Sequence, residues 1–135
     1  GNSSKATYTS LQEALDGYGI TEFREPTWIP EGYRFEHVEV DSWSDNGSFI
    51  GLYAEYRSKT DSLHIKIERY EGSANIQVEK TDTPVETFLV DGLTVYLLEN
   101  IGNNSAAWVT EHYECYISGT AEKQVLKQIV LSAYV

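Results

Sequence analysis

Apolar and polar residues alternate along most of the centre of the chain. The clearest run covers residues 63–68, where Leu63, Ile65 and Ile67 are separated by polar or charged side chains. A period of two places successive side chains on opposite faces, so each such run predicts a half-buried β-strand. The predicted strands cover residues 35–40, 49–57, 63–68, 75–80, 85–90, 93–99, 105–110 and 113–117.

Short turn sequences separate these runs. Asn46-Gly47 lies between the first two predicted strands, and Asp91-Gly92 lies between a later pair. Both pairs are typical of tight hairpin turns, whose central residues need positive φ. Pro30-Glu31-Gly32 predicts a further turn, after which a strand begins at residue 33 or 34. Short connections of this kind predict an antiparallel sheet.

Helical patterns occur only near the two ends of the chain. Ser10 and Glu13 have the spacing of a capping box, and Gly19 follows the last apolar position, so we predict a helix over residues 11–18. Near the C-terminus, Thr120 is placed to cap a second helix with Glu122 in its first turn. The apolar stripe of that helix consists of Val125, Leu126, Ile129, Val130 and Ala133.

The order of these elements predicts an α+β fold. A curved antiparallel sheet of six to eight strands, resembling half a barrel, would be packed by the N- and C-terminal helices on one face. The length of 135 residues predicts a single domain over residues 8–135, after a tether or cloning remnant over residues 1–7. A chain of this length buries a core large enough to fold without disulfides or metal.

The net charge of −11 excludes several kinds of partner. A surface this acidic repels the phosphates of nucleic acid and of anionic lipid headgroups. No apolar run is long enough to cross a bilayer, so we expect no membrane insertion by this segment.

Three blocks of the chain together resemble a known family. They are Ile29-Pro30-Glu31-Gly32-Tyr33, then Gly92-Leu93-Thr94-Val95-Tyr96, and finally Trp108 followed by a Tyr-rich strand and a capped helix. Their order over residues 10–134 resembles bacterial domain-of-unknown-function family 4367. This resemblance implies an extracytoplasmic domain at the cell surface, tethered by an N-terminal membrane segment not present in this chain, in some members beside an anti-sigma-like region. It implies no catalytic residues.

Four aromatic residues are candidates for a binding surface. Tyr53, Tyr96 and Tyr116 fall on the strand face opposite the apolar positions, as does Tyr70, while Trp43 is placed in a hairpin loop. Aromatic side chains of this kind supply the strongest contacts in many interfaces. Two alternatives stay open: the tyrosines cover a solvent-facing sheet as ordinary strand residues, and Trp43 folds back on its own hairpin.

No motif predicts catalysis or a cofactor. Cys115 lies in an alternating run as a small buried residue, and His112, three residues before it along a strand, points to the other face. The histidines His37 and His64 have no metal-ligand spacing, and Asp41 and Asp45 lack the spacing of a calcium loop. We therefore expect no metal, no cofactor and no enzymatic activity. Carboxylates that pair only in space leave no local pattern in a sequence.

Two functions fit these observations. The first is a binding or sensing domain of a membrane-anchored bacterial protein, whose partner is a protein, a peptide or a cell-envelope component. The alternative is a module that handles lipids or lipoproteins in an apolar cavity between sheet and helices. A closed core with exposed aromatics favours the first, and a long apolar cavity favours the second.

Overall fold

The computed structural model describes residues 7–45, 47–71 and 84–134. In these residues a helix precedes seven strands and a second helix follows them, which confirms the predicted α+β class. The elements are α1 (Leu11–Gly17), β1 (Arg34–Trp43), β2 (Ser48–Arg57), β3 (Ser62–Glu71), β4 (Pro84–Val90), β5 (Leu93–Asn100), β6 (Asn103–Val109), β7 (Glu114–Gly119) and α2 (Lys123–Ser132). The predicted strand over residues 75–80, Asn46 and most of the predicted N-terminal tether lie outside the described residues.

The strands form one open, curved antiparallel sheet in the order β1-β2-β3-β7-β6-β5-β4. Successive hairpins build β1-β2-β3 and β4-β5-β6-β7, and the two groups join where β3 pairs with β7. The tight turn between β4 and β5 has positive φ at both Asp91 and Gly92, as the sequence predicted. Among the described strands, β1 and β4 are therefore at the two edges of the sheet.

The N-terminal helix begins as its capping sequence predicted. The Ser10 hydroxyl accepts a hydrogen bond from the Glu13 backbone N–H at 3.1 Å, and the Glu13 carboxylate accepts one from the Thr9 backbone N–H. The helix ends at Gly17, and Gly19 has a φ of 68°. Leu11 and Leu15 on its inner side are fully buried.

The C-terminal helix begins later than predicted, and Thr120 does not cap it. The Thr120 hydroxyl instead donates to the Asp61 carboxylate at 2.7 Å, which ties the end of β7 to the turn before β3. Glu122 takes the cap position with no side-chain hydrogen bond, so the helix begins at Lys123. The predicted stripe is confirmed, because Leu126, Ile129 and Val130 are fully buried.

The core lies between the helices and one face of the sheet. Trp108 on β6 is fully buried there, and its indole N–H donates to the Tyr134 hydroxyl at 2.8 Å. Phe23 packs on the same indole at 5.9 Å between ring centroids. Cys115 is buried in this core, as predicted, and burial raises the pKa of its thiol far above the physiological range.

The part of the chain before β1 is tied to α2 by polar contacts. The Thr27 hydroxyl donates to the Ser132 carbonyl oxygen, and the Trp28 backbone N–H donates to the Ser132 hydroxyl. In the described residues, neither helix combines the length and the apolar character that a bilayer crossing requires.

Candidate binding face

The face of the sheet turned away from the helices, here called the open face, carries the predicted tyrosines. Tyr53 on β2 pairs with Lys66 on β3, and Lys66 pairs with Tyr116 on β7. Tyr116 in turn pairs with Ala107 on β6, which pairs with Tyr96 on β5. The tyrosines thus lie in a single row across the sheet, and each is half-buried. The prediction that they share one face is confirmed.

A shallow groove of about 490 Å³ runs along this row on the β1–β3 and β7 side of the sheet. Its lining mixes aromatic, acidic, basic and hydroxyl side chains. The side chains that point into it from the open face belong to His37, Glu39, Tyr53, Glu55, His64, Lys66, Asn103, Ser105, Tyr116 and Ser118. The groove offers rings for apolar contact together with many hydrogen-bonding groups.

Tyr53 does not stand up from the sheet but lies over Gly51. A Cβ atom at Gly51 would come within 2.8 Å of the Tyr53 Cζ atom, so only glycine leaves room for the ring. The Tyr53 hydroxyl donates to a carboxylate oxygen of Glu68 at 2.6 Å. Burial, followed by the hydrogen bond to Glu68 and the charge of that carboxylate, raises the pKa of Tyr53, so the hydroxyl stays protonated as a donor.

Lys66 connects the two tyrosines at the centre of the groove. Its ammonium lies 3.9 Å from a Glu68 carboxylate oxygen and 4.3 Å from the centroid of the Tyr116 ring. The second contact is a cation–π interaction. A network from Tyr53 through Glu68 and Lys66 to Tyr116 therefore fixes the shape of the groove floor.

Glu114 on β7 lies directly opposite Glu68 on β3, which makes a carboxylate pair on the open face. One Glu114 oxygen, Oε1, is buried and has no hydrogen-bond partner among the described residues. Partial burial, followed by the Glu68 charge, raises the pKa of Glu114, and Lys66 opposes this effect. The pair was not predicted from the sequence because the two residues belong to different hairpins, and no local pattern indicates that β3 pairs with β7.

Trp43 lies apart from the tyrosine row, and its predicted place in a loop is wrong. It is the last residue of β1, where it stacks on Phe49 at 5.6 Å between ring centroids and meets the edge of Tyr70 at 5.5 Å. The register that pairs Trp43 with Phe49, and Phe49 with Tyr70, builds this cluster at one end of the open face. The ring packs back on its own hairpin and its neighbour, which was the alternative left open by the sequence.

At the end of the open face away from Trp43, two histidines lie beside a glutamate in the groove. Glu55 pairs across the strands with both His37 and His64, and its carboxylate lies 3.7 Å from His37 Nδ1. The Arg57 guanidinium contacts the same carboxylate at 3.1 Å. Among the described residues, no group of three or more His, Cys, Asp or Glu side chains is arranged to hold a metal ion.

A second cleft of about 340 Å³ lies beside the loop before β7. There the Glu22 carboxylate accepts hydrogen bonds from the Thr110 hydroxyl at 2.6 Å and the His112 backbone N–H at 2.8 Å, and it also contacts the His112 ring. Burial raises the pKa of Glu22, but these hydrogen bonds outweigh burial and lower it overall. The carboxylate is thus held charged, and it ties the segment before β1 to the loop between β6 and β7.

The family model described as "Domain of unknown function (DUF4367)" matches residues 24–132, which is most of the chain. The chain belongs to this family. The match runs from the segment before β1 through the last turn of α2, so the whole sheet and its open face lie within the DUF4367 region. No curated protein sequence gives a significant match to this DUF4367 chain.

Proposed function

We propose that this DUF4367 domain is a non-enzymatic binding or sensing domain whose partner docks on the open face of the sheet. The observation that carries the proposal is the row of Tyr53, Tyr116 and Tyr96 across the sheet, two of which, Tyr53 and Tyr116, line a groove of about 490 Å³. Open clefts that combine aromatic surface with a few placed polar groups are typical of ligand sites. The partner class is a protein, a peptide or a cell-envelope component.

The space between sheet and helices gives the proposal further support. Leu11 and Leu15 from α1 and Leu126 and Ile129 from α2 are all fully buried in one hydrophobic cluster with the sheet residues. The groove, in contrast, lies on the opposite side of the sheet, and its lining mixes aromatic rings with charged and hydroxyl side chains. We therefore favour a binding face over the alternative of a lipid-handling cavity beneath the helices.

We further propose that the domain works outside the cytoplasm, tethered to the membrane through an N-terminal segment. The support is the family relationship together with what the resemblance of the three sequence blocks implies. The test is a fusion of alkaline phosphatase to the C-terminus of the full-length protein, since this reporter is active only outside the cytoplasm. We expect an active reporter; an inactive phosphatase fusion paired with an active cytoplasmic reporter would contradict this placement.

The binding proposal is tested with a display library of random peptides. Peptides that bind the purified domain are selected, and the affinity of each selected peptide for the domain is measured. Tyr116→Ala should weaken these peptides at least tenfold, because truncating a central aromatic contact removes a large part of an interface energy. Tyr18→Ala, at the end of α1 and away from the sheet, is the matched control and should change affinity less than twofold. A cell-envelope partner is tested separately, by measuring whether the domain co-sediments with purified peptidoglycan sacculi.

Melting temperatures separate a lost contact from a lost fold. We expect the Tyr116→Ala variant to melt within a few degrees of the unaltered domain while its affinity falls. Two results would place the binding surface elsewhere. One is that Tyr116→Ala binds the selected peptides as tightly as the unaltered domain does, and the other is that Tyr18→Ala loses as much affinity as Tyr116→Ala.

A further inference from the structure

The open face is divided into an acidic sector and an apolar sector. The acidic sector consists of Asp41, Glu68 and Glu114, which the register aligns through Gly51 across β1, β2, β3 and β7. Val109 on β6 is the next cross-strand neighbour after Glu114, so the row of acidic residues ends at an apolar residue. The apolar sector consists of Val109 on β6, Leu89 on β4 and Tyr96 on β5, with Thr94 as the cross-strand partner of Leu89.

The apolar sector exposes side chains that strands normally cover. Leu89 is 74% exposed and Val109 is 47% exposed, and both lie on the open face. Tyr96, one row further along the sheet, is half-buried, whereas Leu98 and Ala107 on the same face are already buried and offer a partner no surface. Leu89, Val109 and the Tyr96 ring thus give a partner apolar surface to cover on the open face.

The three carboxylates of the acidic sector share a single neighbouring cation among the described residues, Lys66. Lys66 lies 3.9 Å from Glu68, while in the described part of the chain neither Asp41 nor Glu114 has a basic group within ion-pair distance. Two carboxylates directly opposite each other repel. A partner that brings positive charge to this place relieves that repulsion and gains attraction from a chain with a net charge of −11.

We infer that the partner is a polypeptide segment with basic side chains at one end and apolar side chains at the other. This inference rests on the proposed function and names the partner class. Strands lie about 4.8 Å apart, so β3 and β4, four spacings apart in the sheet, are separated by about 19 Å. A helix of about 13 residues spans that distance. The basic end meets Glu68 and Glu114, and the apolar end covers Val109 and Leu89.

The probe is a fluorescein-labelled peptide of 14 residues with a lysine-rich half and a leucine-rich half, measured by fluorescence anisotropy at physiological salt. A peptide with glutamate in place of lysine and a peptide without the leucine-rich half are the two comparison probes. We expect the first peptide to bind at least tenfold tighter than either comparison, since each lacks one of the two complementary halves.

Two variants test the two sectors separately. The double variant Glu68→Gln/Glu114→Gln and the double variant Leu89→Ser/Val109→Ser should each weaken the lysine–leucine peptide at least tenfold. Glu31→Gln with Glu99→Gln removes the same charge away from the open face, and it should weaken binding less than twofold. If this control loses as much affinity as the Glu68→Gln/Glu114→Gln variant, the peptide is attracted by net charge alone and the inference is overturned. The inference is also overturned if the glutamate peptide binds as tightly as the lysine–leucine peptide.

The result also separates this inference from the proposed function. If the lysine–leucine peptide does not bind while selected peptides still require Tyr116, the open face is a binding surface and the inferred partner class is wrong. If the lysine–leucine peptide does not bind and Tyr116→Ala also leaves the affinity of the selected peptides unchanged, both proposals fail. Binding of the domain to anionic lipid vesicles in place of the peptide would also overturn the inferred class.

Discussion

The carboxylate pair on the open face makes a specific prediction for Glu114→Gln. Glu68 and Glu114 are direct cross-strand partners, so their carboxylates repel at neutral pH. Glutamine keeps the shape of the side chain and removes one of the two charges. We therefore expect Glu114→Gln to stabilise the folded domain at pH 7, although most substitutions destabilise.

Partial burial of the Glu114 charge and its repulsion by Glu68 both contribute to the gain, and Coulomb's law gives the size of the second contribution. Two unit charges about 5.5 Å apart repel by about 0.8 kcal/mol in water and about 3 kcal/mol at an effective dielectric constant of about 20. The pair is partly exposed, so solvent screening reduces this energy, and Lys66 offsets part of it. We expect a gain of about 1 kcal/mol, which corresponds to a rise of about 3–5 °C in melting temperature for a domain of this size.

The stability advantage of Glu114→Gln should depend on pH, and the shifted pKa of Glu114 gives the direction of that dependence. A carboxyl group whose pKa is raised in the folded protein, as that of Glu114 is, binds its proton more tightly there than in the unfolded chain. The cost of a partly buried charge repelled by Glu68 therefore disappears as pH falls through the raised pKa towards the ordinary glutamate value of about 4.3. The advantage of Glu114→Gln should be full at pH 7 and vanish near pH 4.

Thermal unfolding followed by circular dichroism at several pH values measures this advantage directly. Glu31→Gln, in the exposed turn before β1, is the charge-matched control and should change the melting temperature by less than about 1 °C, as exposed surface changes usually do. High salt should shrink the gain of Glu114→Gln, because it screens the repulsion. A Glu114→Gln variant that melts at or below the unaltered domain at pH 7, or one whose advantage persists unchanged at pH 4, would refute the reasoning.

Three further substitutions test the packing and the polar contacts. Ile129→Ala should destabilise the domain by about 2–5 kcal/mol in chemical denaturation because the side chain is fully buried, whereas the exposed neighbour Gln128→Ala should have little effect. Gly51→Ala should cost about 1 kcal/mol by displacing the Tyr53 ring from its carboxylate partner; a cost that stays the same in a Tyr53→Ala background would contradict that cause. Glu22→Gln should lower the melting temperature at pH 7 and converge with the unaltered domain as pH falls through the lowered pKa of Glu22, and a difference that persists at pH 2 would disprove this ionic role.

Local sequence patterns predicted most of the elements because local physics decides them. The alternation in β3, the Asp91-Gly92 turn and the capping by Ser10 each depend on a few neighbouring residues. The same periodicity predicted that the tyrosines share a face, since a strand has a period of two. Thr120 was misassigned because its hydroxyl has a tertiary partner, Asp61, that no helix-capping rule takes into account.

The pairing of β3 with β7 was not predictable, and the site depends on it. Two hairpin groups can join at several strands, and only tertiary packing selects one. That single choice places Tyr116 beside Lys66 and sets Glu114 opposite Glu68. Consequently the sequence indicated a tyrosine face but neither the groove nor the carboxylate pair, and both follow from the register alone.

Fluorine NMR of the domain labelled with 3-fluorotyrosine tests most directly whether the partner docks on the open face. Single Tyr→Phe variants assign the resonances, and the tightest peptide from the selection is the titrant. We predict that the resonances of Tyr53, Tyr96 and Tyr116 shift on binding, while those of Tyr56 and Tyr134 on the helix side of the sheet stay in place. Shifts at Tyr56 and Tyr134 with none along the open-face row would contradict the account.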